Sequence, residues 1–211
     1  MQILCLIVFV GCKSPNNQEK GVNDKSEDLT QFDEPELDTS EESISQELLS
    51  LETEYVEMLS PISSLKTSQP KTYWFIVSWL NTAHKTPDWN GYYSDEWMVR
   101  TKQRGIDCSG FSRVMLDQIF DHQVSGGSQG ILDHYCTRIG MKSLEMGDLV
   151  FFRASYSKSD RIVHVGVYLQ DNYFVHATSR KSAAKGLGLS VNSLKEENWV
   201  KEFVSGGKVK D

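Results

Sequence analysis

Three residues of this chain carry the side chains that nucleophilic catalysis requires: Cys108, His164 and His176. A cysteine attacks a carbonyl as its thiolate, and a nearby imidazole takes the proton of the thiol. Asp107, just before the cysteine, is a typical helix N-cap residue, and apolar residues follow it at helical spacing. These apolar positions are Phe111, Val114, Met115 and Ile119. We therefore predict that Cys108 lies in the first turn of a helix, where backbone N–H groups and the helix dipole favour the thiolate.

The two histidines lie on segments that have the pattern of one β-hairpin. Residues 162–169 and 173–178 both alternate like strands, and the polar residues 170–172 join them. A loop of all three residues puts the apolar side chains on one face and both histidines on the other. Diagonal positions of this kind are roughly 7–8 Å apart, and Gly166 between them leaves room for the rings. A two-residue loop would put the histidines on opposite faces of the hairpin. The apolar pattern therefore favours the three-residue loop, and this register brings the histidines together for a Cys-His-His relay.

These residues belong to a longer set of matching segments. The sequence resembles the NlpC-type family of bacterial cell-wall cysteine peptidases, which have a papain-like fold. The resemblance covers most of the second half of the chain, at residues 107–111, 144–152, 164–169 and 174–177, with a closing segment at 198–203. It implies that Cys108 is the nucleophile, that His164 is the general base and acid, and that His176 orients His164. It also implies hydrolysis of peptidoglycan stem peptides, at the bond between γ-D-glutamate and a diamino acid.

One segment departs from the family pattern. Relatives carry a tyrosine shortly after a Thr-Pro pair, and this tyrosine helps to shape the oxyanion site. Here Thr86-Pro87 is followed by Asp-Trp-Asn-Gly at positions 88–91, and the stretch from there to Cys108 is longer than in relatives. The resemblance therefore leaves several candidates for substrate or oxyanion contacts. These are Trp89, Tyr92, Tyr93, Asp107 and Ser109.

The N-terminus resembles a bacterial lipoprotein signal. Residues 3–10 are apolar, and residues 9–12 read Phe-Val-Gly-Cys, which is similar to a lipobox. An apolar run this short cannot span a bilayer as a mature helix, and a small residue before cysteine suits signal cleavage. We expect a signal peptide at residues 1–11 and a lipid on Cys12, which would anchor the protein in the cell envelope, facing the periplasm. A buried N-terminal strand is the alternative.

Charge is distributed unevenly along the chain. The net charge is −7, but residues 1–60 contain 14 acidic residues and 3 lysines, so that segment has −11 and the remainder +4. We expect an acidic, flexible tether over residues 12–60, because residues 13–40 have too few apolar side chains to form a core. A helix at 41–59 is predicted within it from apolar residues at helical spacing. That helix could bind a partner or pack on the catalytic domain.

The catalytic domain is predicted at residues 61–211, long enough for one compact core. Helical periodicity favours an opening helix at 71–84, and the Cys108 helix follows it. Strands are expected after a stretch rich in loops, at residues 149–153, 162–169, 173–178, 187–191 and 201–204. Helices first and strands afterwards indicate an α+β fold, in which the nucleophile helix packs on a meandering antiparallel sheet.

The remaining cysteines, histidines and charged residues give weaker signals. We expect Cys136 to be a buried or unpaired thiol, because a disulfide with Cys108 would consume the nucleophile. No spacing predicts a metal site, and we expect neither a cofactor nor a nucleic-acid partner. Asp148 follows a glycine before a strand, which is typical of a turn. Four cations are candidates to pair a substrate carboxylate, although solvated surface charge is their commoner role. They are Lys102, Arg104, Arg138 and Arg153.

Two other functions are compatible with the same residues. A papain-like amidase or acyltransferase acting on lipids or other γ-glutamyl substrates would keep the nucleophile and change the acceptor. A wall-binding lipoprotein with a degenerate site would need no catalysis, although an intact set of cysteine and two histidines argues against it. The prediction from the sequence is a lipid-anchored cysteine endopeptidase.

Overall fold

A computed structural model of the protein describes residues 41–80, 107–156, 158–178 and 189–210. The helices of these segments are α1 (Glu41–Glu54), α2 (Val56–Leu59), α3 (Leu65–Ser68), α4 (Pro70–Ser78), α5 (Cys108–Phe120), α6 (Ser128–Tyr135) and α7 (Glu197–Glu202). Short 3₁₀ turns lie at Ser60–Ile62 and Met141–Ser143. Among these segments, no helix has the length and apolarity that a membrane span requires.

The strands form one antiparallel sheet. They are β1 (Cys136–Ile139), β2 (Leu149–Arg153), β3 (Ile162–Tyr168), β4 (Tyr173–Ala177), β5 (Leu189–Ser193) and β6 (Phe203–Val209). Their order is β1-β6-β2-β3-β4-β5, so β2 to β5 meander and the last strand pairs beside β2. The predicted α+β architecture, with helices first and an antiparallel sheet after them, is confirmed.

The main core lies between the helices and one face of the sheet. Phe111, Met115 and Leu116 of α5 are fully buried against the apolar face of β3 and β4. A second, smaller cluster on the other face contains Phe152 and Trp199. The helix α5 is therefore fixed over the β3–β4 hairpin, which sets the position of its first residue.

The helices before residue 81 pack into the same core. Leu51, Tyr55 and Leu59 are buried there, and the chain bends at Tyr55, where the helix predicted for 41–59 divides into α1 and α2. The Tyr73 hydroxyl of α4 donates a hydrogen bond to Glu52 of α1 at 2.6 Å. The helix before the predicted catalytic domain thus packs on that domain's core.

The β3–β4 hairpin has the predicted register. Val167 faces Val175, the N–H of Leu169 donates to Tyr173 O at 2.9 Å, and the three residues between them form the loop. Two of these, Asp171 and Asn172, have positive φ angles of 52° and 70°. Asp and Asn tolerate this left-handed conformation better than other non-glycine residues do. The turn chemistry therefore agrees with the apolar pattern.

Several predicted element boundaries are wrong. The stretch expected to be mainly loops contains α6 and β1, and β5 continues to Ser193, two residues beyond its predicted end. The last strand begins at Phe203 instead of residue 201, because residues 197–202 form α7. The opening helix α4 ends at Ser78, earlier than predicted, and residues 81–84 lie outside the described segments. Among these elements, β1 and β6 pair with each other and β6 also pairs with β2, so their partners are distant in sequence.

Asp148 forms part of a turn. Its carboxylate accepts the backbone N–H of Glu145 at 2.7 Å, and Gly147 before it has a φ angle of 93°. Burial raises the pKa of this carboxyl. The turn interpretation of the Gly-Asp pair is confirmed by this geometry.

Candidate active site

The nucleophile candidate Cys108 is the first residue of α5. Asp107 has extended backbone angles and caps the helix, since its carboxylate accepts the N–H of Gly110 at 2.6 Å. The Ser109 hydroxyl donates to the same carboxylate oxygen at 2.9 Å. These contacts give Asp107 and Ser109 a capping role, and a direct role toward substrate stays a prediction.

The Cys108 thiol has an unusual environment for a nucleophile. Burial, followed by the charge of Asp107, raises the pKa of Cys108 to about 12, although backbone N–H groups of Val165, Ser109 and Cys108 act in the opposite direction. The sequence predicted that the helix terminus favours the thiolate. The backbone N–H groups do favour the thiolate, but desolvation and the neighbouring carboxylate raise the pKa by more than these N–H groups lower it. The thiol therefore needs a base at the moment of attack.

His164, the candidate base, is the neighbour of Val165, whose backbone faces the Cys108 sulfur. The backbone N–H of Val165 donates a hydrogen bond to the Cys108 sulfur, and His164 precedes Val165 on β3. The backbone ladder between β3 and β4 contains Val167–Val175 and Tyr168–Phe174 only. The N-terminus of α5 lies beside the other part of β3, at Val165.

His164 and His176 are in direct contact. Their Nε2 and Nδ1 atoms, respectively, are 2.7 Å apart, and the two rings are nearly perpendicular, with centroids 4.8 Å apart. His176 is fully buried, whereas His164 is partly exposed. Gly166 allows this approach, since a β-carbon there would lie 3.2 Å from His176 Cβ. The juxtaposition predicted from the register is therefore present, and the catalytic roles of the two residues stay predictions.

The structure adds polar residues that the sequence did not single out. His176 Nε2 lies 2.9 Å from Asn192 Oδ1, which also accepts the Ser190 hydroxyl at 2.9 Å. The Asn192 amide nitrogen lies 3.1 and 3.2 Å from the two carboxylate oxygens of Glu196. Neither Asn192 nor Glu196 belongs to a recognisable motif. Only the pairing of β5 with β4 brings Asn192, and with it Glu196, next to His176.

Trp199 covers the histidine pair. Its ring lies 5.8 Å from the ring of His164, tilted by 24°, and packs edge-on against His176 at 4.9 Å. The side chain is 3% exposed. The sequence noted this tryptophan only as part of a closing segment. Here it separates the relay from solvent, which strengthens the hydrogen bonds within it.

The other candidate residues fall into two groups. Arg138 pairs with Asp133 at 3.5 Å, and Arg153 pairs with Asp160 at 3.0 Å, so both cations already have surface partners. The remaining candidates lie outside the described segments. They are Cys12, Trp89, Tyr92, Tyr93, Lys102 and Arg104.

Cys136 is a free, buried thiol on β1, and burial raises its pKa to about 11. This agrees with the prediction of a buried, unpaired cysteine. In the part of the chain that the structure describes, no group of three or more His, Cys, Asp or Glu side chains is placed to hold a metal ion.

Comparison with known proteins identifies the family. The sequence model of the NlpC/P60 family matches residues 90–208, which include Cys108 and both relay histidines. The chain therefore belongs to the NlpC/P60 family. The predicted family and α+β fold class are thereby confirmed, and relatives in this family are named endopeptidases.

Individual relatives show how far the similarity extends. The chain is 35% identical to the probable endopeptidase NlpC of Escherichia coli K12, over 59% of this chain and 70% of that protein. It is 30% identical to the murein DD-endopeptidase MepS/murein LD-carboxypeptidase of the same strain, over 51% of each chain. An NLP/P60 family protein from Staphylococcus aureus, of known structure, aligns over 64% of this chain and 39% of its own, at 20% identity and a TM-score of 0.49. The chain thus spans only about half the length of some curated relatives.

Proposed function

We propose that this protein is a peptidoglycan hydrolase that cleaves stem peptides between γ-D-glutamate and the diamino acid by a Cys-His-His mechanism. The observation that carries the proposal is the position of Cys108 at the start of α5, beside the strand that bears His164, with His176 2.7 Å behind it. Membership of a family that contains a murein endopeptidase supports the substrate class.

The first half of the reaction forms a thioester. His164 takes the proton from the Cys108 sulfur as the sulfur attacks the γ-carbonyl carbon of D-glutamate. The carbonyl oxygen becomes an oxyanion, and the backbone N–H of Cys108 is placed at the helix terminus to stabilise it. The C–N bond then breaks, and His164 returns the proton to the amine of the diamino acid. A thioester and a new amine result.

The second half regenerates the enzyme. Water gives a proton to His164 and attacks the thioester carbon, after which the C–S bond breaks and the sulfur regains the proton. His176 holds the orientation of the His164 ring through both halves. The raised pKa of Cys108 means that His164 must take the proton from a neutral thiol.

We further propose that the enzyme is attached to the cell envelope through a lipid on Cys12 and faces the periplasm. The support is the sequence pattern alone: an apolar run that ends in Gly-Cys, followed by an acidic segment with few apolar side chains. Peptidoglycan lies outside the cytoplasmic membrane, so a tethered hydrolase would stay near its substrate.

The test of the proposal is a digest of purified muropeptides by the full chain carrying Cys12→Ser, analysed by mass spectrometry. We expect products that contain a free γ-carboxyl on D-glutamate and a free amine on the diamino acid. The Cys108→Ala variant should give none of them, and casein should stay intact.

Two results would contradict the proposal. A digest with no new amine, together with turnover of a lipid or protein ester, would establish the acyltransferase alternative. Binding of peptidoglycan without turnover of any of these substrates would favour a wall-binding protein.

A further inference from the structure

A polar chain continues behind the histidine pair and ends on a carboxylate. It runs from His176 through Asn192 to Glu196, with contacts of 2.9, 3.1 and 3.2 Å. We propose that Asn192 and Glu196 are positioning residues that fix the protonation pattern of both histidines and leave the basic lone pair of His164 on Nδ1. The proposal concerns the same site as the peptidase mechanism and rests on that proposed function for its kinetic consequences.

Glu196 determines which end of the Asn192 amide faces the relay. A carboxylate only accepts hydrogen bonds, so the NH₂ group of Asn192 must point toward Glu196. The backbone N–H of Ser193 holds the carboxylate in place by donating to Oε1 at 2.7 Å. The amide oxygen of Asn192 must therefore point toward His176.

The amide oxygen in turn determines the tautomer of His176. This oxygen accepts the Ser190 hydroxyl at 2.9 Å and lies 2.9 Å from His176 Nε2. Because an amide oxygen cannot donate, His176 Nε2 must carry the proton. A neutral His176 then has its lone pair on Nδ1.

The same logic reaches His164. His176 Nδ1 is 2.7 Å from His164 Nε2, and two lone pairs cannot face each other at that distance. His164 Nε2 must donate, so in neutral His164 the lone pair lies on Nδ1. That nitrogen is the atom available as a base. Each group of the chain thus donates a hydrogen bond to the next, from His164 through His176 and Asn192 to Glu196. The Glu196 carboxylate, which can only accept, sets this direction.

The Glu196 carboxylate is the negatively charged end of this hydrogen-bonded chain. Phe152 from β2 and Trp199 from α7 present apolar rings to His164, while the Cys108 thiol lies at the start of α5 with the Asp107 carboxylate beside it. When His164 takes the thiol proton, its positive charge is stabilised through two polarised groups that end on Glu196. Removing the Glu196 charge should therefore weaken the base as well as its orientation.

The direct test is the tautomeric state of the two histidines, which does not depend on substrate. Long-range ¹H–¹⁵N NMR spectra of the histidine-labelled full chain carrying Cys12→Ser should show Nε2–H tautomers for both His164 and His176 near neutral pH. An Nδ1–H tautomer for either residue would overturn the proposal. This result stands whether or not the protein cleaves muropeptides, so it separates a failure of the inference from a failure of the proposed function.

The kinetic test uses Glu196→Gln, which keeps the acceptor for Ser193 N–H but lets the neighbouring amide reverse. We expect kcat for muropeptide cleavage to fall about tenfold with KM unchanged, because part of the molecules carry the wrong tautomer and the supporting charge is lost. The NMR spectrum of His176 should show a mixture of tautomers. Unchanged kcat, or a change in KM alone, would contradict the proposal.

A rescue variant and a control distinguish positioning from a structural effect. Adding Asn192→Asp to Glu196→Gln supplies an acceptor that cannot reverse, so kcat should recover to within about threefold of wild type. Glu197→Gln makes the same change one residue away, at a side chain that pairs with Lys201, and should leave kcat unchanged. Failure of the rescue in a protein with unchanged thermal unfolding would refute the tautomer argument.

Discussion

At the scale of single residues, the candidate site combines a thiol that resists ionisation with a histidine, His164, that is in contact with a second histidine, His176. The pKa of Cys108 is raised because the sulfur is desolvated and Asp107 is negative. The same carboxylate stabilises the helix that positions the sulfur, through its contacts with Gly110 and Ser109. The N-cap thus stabilises the helix and adds to the effect of burial, so that in the proposed mechanism the thiol depends on His164 for deprotonation.

The raised pKa predicts a particular pH dependence of stability. Below the ordinary value of 9.0, the thiol is neutral in both the folded and the unfolded protein. Between 9.0 and about 12, the unfolded chain loses the proton while the folded protein keeps it, so the free energy of unfolding should fall as pH rises. Urea unfolding at about pH 8 and about pH 10.5 should show a smaller loss for Cys108→Ala than for wild type. An equal loss would show that Cys108 ionises as readily when folded.

The relay predicts unequal effects of removing its two histidines. His164→Ala removes the group that moves the proton, and we expect kcat to fall about 10³-fold. His176→Ala removes only the group that orients it, so the loss should be about 10–100-fold. Initial rates of muropeptide cleavage measure both values, and His122→Ala on the segment after α5 is a control. Equal losses for the two relay variants would contradict the division of roles.

At the scale of elements, the β3–β4 hairpin carries the relay. A three-residue loop places both histidines on one face, and the strands approach closely at Gly166. A β-carbon there would lie 2.7 Å from a Phe174 ring carbon and 3.0 Å from the Val175 carbonyl oxygen. The missing side chain is therefore a condition for the contact between the rings.

Gly166→Ala should consequently disrupt both packing and activity. We expect a loss of about 1–3 kcal/mol in the free energy of unfolding, because the added methyl meets backbone and ring atoms that cannot move independently. The activity should fall further than the stability explains, because the histidine pair separates. Gly140→Ala is the matched control, since nothing lies within 4 Å of its β-carbon position. Urea unfolding and muropeptide kinetics of both variants would test this, and equal behaviour would contradict it.

At the scale of the whole molecule, the helices before residue 81 share the core of the predicted catalytic domain. Leu51, Tyr55 and Leu59 are buried with residues of α5 and the sheet. The Gln170 amide in the β3–β4 loop also donates to the Ser64 hydroxyl at 2.6 Å. Helices that the sequence grouped with the tether therefore pack in this core, and Ser64, just after them, contacts the hairpin that carries the two histidines.

Leu59→Ala should destabilise the whole domain by about 2–5 kcal/mol, because it leaves a cavity at a position that is 2% exposed. Val56→Ala on the same short helix is the control, with a side chain that is 59% exposed, and should change stability little. One cooperative unfolding transition, shifted only by Leu59→Ala, is the expected result. Separate transitions for the helices and the sheet would show that they fold independently.

The proposed anchor makes a prediction about the location of the whole chain. Two or three acyl chains on Cys12 suffice for stable attachment, whereas a single chain is marginal. Cys12→Ser should therefore move the protein from the membrane fraction to the soluble fraction while muropeptide cleavage continues. A wild-type protein that is soluble and still begins at Met1 would refute the lipoprotein interpretation.

The sequence by itself determined the features that depend on neighbours along the chain. The cap at Asp107, the helix behind Cys108 and the hairpin register follow from local hydrogen bonding and from the alternation of apolar residues. The α+β class and the pairing of His164 with His176 follow from these features. Side chains alternate between the two faces of a strand, so only one register of the hairpin buries all of its apolar residues.

Only the tertiary structure decided the features that depend on distant elements. The pKa of Cys108 is set by the packing of α5 on β3, which no local pattern records. Asn192 and Glu196 join the relay because β5 pairs with β4, and Trp199 covers it because α7 folds back over β2. Burial and electrostatics act through space, so their values appear only when segments far apart in the sequence are brought together.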